Sequence, residues 1–298
     1  MADTALVHGP VVERRRGEGR IASALLGPAT IFIAICLLAP LVLLLRYSLN
    51  EFEPTKKMMV EAVTIANYVK FFTDPYYTAI LWTTVRIAVL VTAACLVLGF
   101  PLAYAVARTQ SRFKNLLIMA IVLPLFVGNS VRAAGWMVVF GNKGFFNASL
   151  LWLGVIAKPI EIMFTEKAVV IGIIAVNLPF MVLSLQSVIE GIDRAVEEAA
   201  FSLGAPPATM FRRVLWPLAL PGILAGTILT FILAMNAYAT PFLLGGPLFK
   251  MMAPLIYNEF TQKTNWPFGG AIAFILMTVT LLLTVAANLL FQRGRHGR

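Results

Sequence analysis

Six long apolar runs dominate the chain, near residues 21–45, 79–107, 116–140, 168–190, 218–244 and 268–291. Each is long enough to cross a hydrocarbon core, which takes about 20 residues of helix. A segment in lipid must satisfy its own backbone N–H and C=O groups, so each run is expected to be helical. A β-barrel would show short alternating segments instead. Proline recurs inside the runs, at Pro40, Pro101, Pro124, Pro179 and Pro221. Membrane helices tolerate it where neighbouring helices cover the freed carbonyls. The expected fold class is all-α integral membrane with six transmembrane helices. Charged residues make up only 13% of the chain, against about 25% in soluble domains, which excludes an ordinary cytosolic enzyme and a disordered protein.

Six spans place both termini on one side, and the scarce charge says which. With the N-terminus inside, the inner segments hold 13 basic residues: Arg14, Arg15, Arg16, Arg20, Arg108, Arg112, Lys114, Arg194, Arg212, Arg213, Arg293, Arg295 and Arg298. The outer segments hold 9: Arg46, Lys56, Lys57, Lys70, Lys143, Lys158, Lys167, Lys250 and Lys263. Short loops count most in the positive-inside rule, and the basic loop at 108–115 is short, so the topology is N-in, C-in. The net charge of +10 thereby sets orientation. No basic, aromatic-interleaved element is left over for nucleic acid.

The basic N-terminal stretch before an apolar run has the look of a signal peptide. The run Ile21–Leu45 exceeds an h-region of about 7–15 residues, so it reads as an uncleaved span. The chain then divides into a tail (1–20), a first span (21–45), an outer segment (46–78), a five-helix unit (79–291) and an inner tail (292–298). Outer aromatics such as Tyr76, Tyr77, Trp82, Phe145, Phe146, Trp152 and Trp266 fit an interfacial belt. Cys36 and Cys95 sit in separate runs without metal-ligand spacing and read as small packing residues. His8 and His296 lie in the tails, so no catalytic or metal-binding histidine is expected.

The longest inner loop, 190–217, is not a plain connector. Asp193–Leu203 favours helix, with Glu197, Glu198, Ala199 and Ala200 at its centre. Gly204 is a helix stop, and Pro206-Pro207 opens a second helix. Phe201 and Leu203 offer apolar contacts, Ala199 and Ala200 allow close approach, and Glu198 offers a charge. Two readings of the first helix stand on physical grounds: docking into a groove of another protein, or lying on the headgroups.

Glu198-Ala199-Ala200, then Gly204, then Val214-x-Trp216-Pro217, resembles the EAA loop of ABC-importer permeases, Glu-Ala-Ala-x3-Gly-x9-Ile-x-Leu-Pro. Val214 and Trp216 replace Ile and Leu with other apolar residues. Asn67-Tyr68-Val69 before Tyr76-Tyr77, the segment Trp82–Arg108, Leu123-Pro124-Leu125, Val131-Arg132, Gly135-Trp136, Gly141 to Asn147 and Thr240 to Pro247 are similar to permeases of the spermidine/putrescine type. The resemblance covers roughly 65–290 and implies a type I ABC importer fold. It implies a second permease subunit, two cytoplasmic ABC ATPases, a periplasmic binding protein and a bacterial inner-membrane location. It makes the first loop helix a coupling helix, with Glu197, Glu198, Ala199, Ala200 and Gly204 as its ATPase-coupling residues. No Gly-x4-Gly-Lys-[Ser/Thr] loop occurs in the chain, so ATP and Mg²⁺ are expected on the ATPase, with no cofactor and no catalysis here.

Polar residues within spans are the candidates for the substrate pathway. Arg132, near Asn129, reads either as a pathway residue or as a structural arginine bonded to helix-end carbonyls. Asn177 precedes the Pro179 kink. Asn236 and Tyr238 lie in the fifth run, which the resemblance places beside the central pathway. Arg86 is expected to snorkel outward. Apart from Glu190 at the inner end of its run, no Asp or Glu lies within any run, an unusual lining for a polycation. Resemblance to polyamine permeases therefore stands beside opine, phosphonate or other anionic or zwitterionic cargo, which relatives of the subgroup also handle. A secondary transporter would need an intramembrane acid or an inverted repeat, and neither is visible.

Overall fold

The computed structural model describes residues 12–55, 58–247 and 249–296. His8, Lys56, Lys57 and Arg298 lie outside the described residues. Helix α1 (Val12–Ser48) leads to a small antiparallel hairpin of β1 (Glu51–Glu53) and β2 (Met58–Val60) and to α2 (Ala66–Thr73). The long α3 (Pro75–Arg108) is followed by α4 (Lys114–Val122), a tight turn of helix at Leu123–Phe126, α5 (Asn129–Phe140) and α6 (Phe145–Trp152). Then come α7 (Glu166–Glu190), α8 (Arg194–Ser202), α9 (Pro207–Met210), α10 (Trp216–Met235), α11 (Ala239–Leu244), α12 (Met252–Thr261) and α13 (Trp266–His296).

Five helical stretches are long and apolar enough to span a bilayer: Leu26–Ser48, Pro75–Arg108, Glu166–Glu190, Pro207–Met235 and Trp266–Leu289. These correspond to five of the six expected spans. The third expected span, 116–140, is present as a bent pair and not as one continuous helix: Lys114–Phe126 and Asn129–Trp152 meet at 98°. Pro124 tightens the end of the first half, and Val127 and Gly128 are extended (ψ 125° and 145°), so the helix cannot run on. The fifth run is also shorter than 218–244. Its helix ends at Met235, and residues 236–238 are non-helical before α11.

The core is the trio α3, α7 and α10. Ile87, Val91, Cys95, Ile173, Met181, Leu185 and Ile223 are buried there. Small residues bring the helices close, as membrane packing without a hydrophobic drive requires. A Cβ on Gly222 would lie 2.9 Å from Val188 Cβ, and one on Gly226 2.7 Å from Met181 Sδ. By contrast α1 packs on α13 and leaves Phe32, Ile33 and Val42 exposed, as a lipid-facing helix should. Cys36 is exposed on α1 and Cys95 buried in the core.

Polar side chains fix the outer ends of the helices and the outer loops. Arg86 keeps its side chain 52% exposed and pairs its Nη2 with Glu166 Oε2 at 2.5 Å, joining α3 to the outer start of α7. In the outer segments, Asn67 donates to the carbonyls of Ser48 and Asn50, while Asn147 is fully buried and bonds both backbone groups of Ile160. These asparagines hold loops. Lys263, beside α13, donates to Glu259 at 2.7 Å, and that bond holds its amine above its ordinary pKa.

Candidate functional site

The inner loop folds as its sequence indicates. Asp193 caps α8, its carboxylate accepting the Ala195 N–H at 3.0 Å. At the other end Gly204 takes φ +77°, Ala205 N–H bonds Ala200 O and Gly204 N–H bonds Phe201 O. This pair of bonds is the Schellman arrangement, which needs a left-handed residue and so favours glycine. The proline pair opens α9, which runs on through a wider turn at Phe211–Leu215 into α10. There Trp216 N–H reaches Phe211 O, five residues back. Pro217 follows, and having no N–H it cannot donate to a carbonyl in the preceding turn. Phe100 of α3 stacks on Trp216 at 5.6 Å and meets Phe211 edge-on at 5.1 Å. Trp216, one of the two departures from the family pattern, thus joins this loop to α3.

The two adjacent glutamates of α8 point in different directions, as a step of about 100° per residue requires. Glu198 and Ala199 are exposed. Glu197 is buried, and this corrects its expected place on the docking face. Its carboxylate accepts from Arg108 Nε at 2.9 Å, Arg108 Nη2 at 2.5 Å and Tyr104 Oη at 2.9 Å. Arg108 Nη1 also donates to Ile192 O, and Arg194 returns a bond to Arg108 O. Ala200 is likewise turned inward. Lys114 pairs with Glu190 at 2.6 Å, tying α4 to the end of α7. The outward surface of α8 is then Val196, Glu198, Ala199, Phe201 and Leu203, with Leu203 89% exposed. The sequence marks Arg108 only as an inner basic residue and Tyr104 not at all, because their shared partner lies about 90 residues away.

On the other side of the bundle the five polar candidates come together. Asn129, Arg132, Asn177, Asn236 and Tyr238 all line one cavity of about 570 Å³. The break before α5 supplies Gly128, Asn129, Ser130 and Arg132; α7 supplies Ile173, Asn177 and Phe180; the non-helical 236–238 segment and α11 supply Asn236, Tyr238 and Thr240. Helix interruptions in membrane proteins are tolerated where they line a cavity, and both interruptions line one here. Arg132 donates to Asn129 Oδ1, and Asn236 to Ile232 O at 2.9 Å. Arg132 Nε and Nη1 and Asn177 Nδ2 have no hydrogen-bond partner among the described residues. The structural reading of Arg132, bonded to helix-end carbonyls, is therefore not what the geometry gives. None of the described lining residues is Asp or Glu. Beside the cavity Tyr238, Phe242 and Tyr257 form an aromatic cluster with centroids 4.9 to 6.1 Å apart.

Residues 95–296 match the family described as binding-protein-dependent transport system inner membrane component. The spermidine/putrescine transport system permease protein PotB of Haemophilus influenzae is 36% identical over 78% of this chain and 82% of its own length. That of Escherichia coli K12 is 38% identical over 74% and 80%. Among solved structures, a bacterial alginate ABC transporter in complex with alginate pentasaccharide-bound periplasmic protein superposes with TM-score 0.77 at 17% identity, covering 95% of this chain and 97% of that chain. The MetNI methionine ABC transporter in inward-facing form gives TM-score 0.56, also at 17% identity, over 74% of this chain and 98% of that chain.

Proposed function

Because the chain belongs to the family of binding-protein-dependent transport system inner membrane components, a multi-pass permease of an ABC importer, we propose that it forms half of a translocation pathway for polyamines. The substrate class rests on the relatives named for spermidine and putrescine. The aromatic cluster Tyr238, Phe242 and Tyr257 supports it, since ring faces attract ammonium groups. The other half of the pathway is a second permease subunit. Two cytoplasmic ATPases bind ATP and Mg²⁺, and a periplasmic protein delivers the cargo. This chain contributes no catalysis and no cofactor.

The observation that carries the coupling reading is the two-sided build of α8. Its inner side is clamped to α3 through Glu197, Arg108 and Tyr104, while Glu198, Phe201 and Leu203 face outward. An ATPase that grips the outward side moves α8 as a rigid body. The clamp passes that motion to α3, and the continuous stretch Pro207–Met235 passes it to the 236–238 break at the cavity. Differential contacts in two states, not a flexible linker, then switch the bundle between inward and outward access.

The test is uptake of labelled putrescine and spermidine by the assembled complex carrying Glu198→Lys. Uptake is expected to cease while the chain still inserts and folds. Normal uptake with the ATPase bound refutes the docking assignment, and a wild-type complex that moves neither amine refutes the substrate class.

A further inference from the structure

The cavity is built to receive an acceptor, and none of the described residues supplies one to its unpaired donors. Arg132 spends one guanidinium nitrogen on Asn129, leaving Nε and Nη1 buried without a partner among the described residues. Asn177, only 2% exposed, leaves Nδ2 in the same condition. Leaving such buried donors unpaired is costly, so a partner is expected in the working molecule. A second feature is independent of these side chains. The 98° break ends in extended Gly128, so α5 begins at the cavity wall with no side-chain cap on its first N–H groups. A helix N-terminus favours negative charge. Charged and dipolar donors converge on one space, and none of the described residues lining it is acidic.

We infer that Arg132, Asn177 and the N-terminus of α5 form a carboxylate-binding subsite in the transport cavity. The inference rests on reading this cavity as pathway. A planar guanidinium with two free N–H positions suits an oxyanion better than a neutral carbonyl. The carboxylate has two sources. It belongs to the facing second permease subunit, where it would neutralise Arg132 between cargo molecules and yield to a cationic cargo; or it belongs to the cargo itself, as in an amino acid-like solute.

The experiment uses the complete complex with its binding protein in proteoliposomes. One arm introduces an amine by Arg132→Lys and applies a zero-length carbodiimide; a covalent adduct between the two permease subunits identifies a subunit-borne carboxylate. The other arm compares 1,4-diaminobutane with 4-aminobutanoate, its analogue carrying one carboxylate. A cargo-borne carboxylate predicts that Arg132→Gln slows uptake of the acid at least about tenfold more than that of the diamine, with recovery in Arg132→Lys. Results with neither adduct nor selective loss overturn the subsite, including an Arg132→Gln variant that fails equally on both solutes. A wild-type complex that moves neither solute refutes the substrate class, and the adduct arm still decides the subsite.

Discussion

Removing the Glu197 carboxylate should free α8 from the bundle while leaving its outward side intact. The group is buried, its side chain 9% exposed against 13% for Arg108. It accepts three hydrogen bonds, two of them from the guanidinium. Breaking a buried pair by deleting one partner costs about 3–5 kcal/mol, because the remaining charge is stranded. Glu197 lies in the first turn of α8 and its partner Arg108 is the last residue of α3, still 13% exposed, so Glu197→Ala belongs near the lower limit. About 3 kcal/mol shifts the equilibrium for docking α8 on α3 by roughly 100-fold or more. Glu197→Gln keeps the shape and loses the charge, so it should cost about half as much, and Tyr104→Phe, which removes one bond, about 1 kcal/mol. Hydrogen exchange of the 192–205 amides in the assembled complex reads the docking directly. Cargo-stimulated ATP hydrolysis against uptake reads its consequence. Exchange should quicken in the order Glu197→Ala, Glu197→Gln, Tyr104→Phe, and uptake per ATP should fall in the same order. Unchanged protection and coupling in Glu197→Ala would refute the clamp.

Other substitutions probe separate joints. Gly204→Ala places a side chain at φ +77° with open space around it, so the cost is backbone strain alone, about 1–2 kcal/mol; a lower unfolding midpoint for the loop by limited proteolysis would measure it. Gly172→Ala puts a Cβ 2.6 Å from Thr240 Cγ2 and 2.7 Å from Leu244 Cδ1. Overpacking of about 1–3 kcal/mol should push α11 away from α7 and alter the cavity, read as a changed KM for uptake at normal expression. Trp216→Ala removes the stack on Phe100 and should weaken coupling; Trp216→Leu, the family residue, should restore most of it.

The spans were legible because lipid demands helices of a given length, and that demand is written in the hydropathy. Directions were not. Pro124 and Gly128 are visible as breakers, yet an apolar run looks the same whether its helix continues or turns through 98°. The end of α10 at Met235 was hidden likewise, since Ala237, Tyr238 and Ala239 keep the run apolar. In the inner loop Gly204 and the proline pair declared the caps locally. Which glutamate faced outward depended on Arg108, a residue of another helix. The five polar candidates were found one by one by their rarity in spans. Their meeting in one cavity is a tertiary fact, made by two helix breaks and α7 together.

In the proposed coupling, α8 is held by the bundle on one side and by an ATPase on the other. Leu203, 89% exposed at the tip of the loop, offers the most direct measurement: Leu203→Cys in a chain whose exposed Cys36 has been replaced by alanine, treated with a short bifunctional thiol–amine reagent in the assembled complex. A covalent adduct with the ATPase is expected, its yield changing when ATP is bound. A Leu203→Cys chain that labels with a lipid-soluble thiol reagent but forms no adduct in the coupled, transporting complex would place α8 on the headgroups and contradict it.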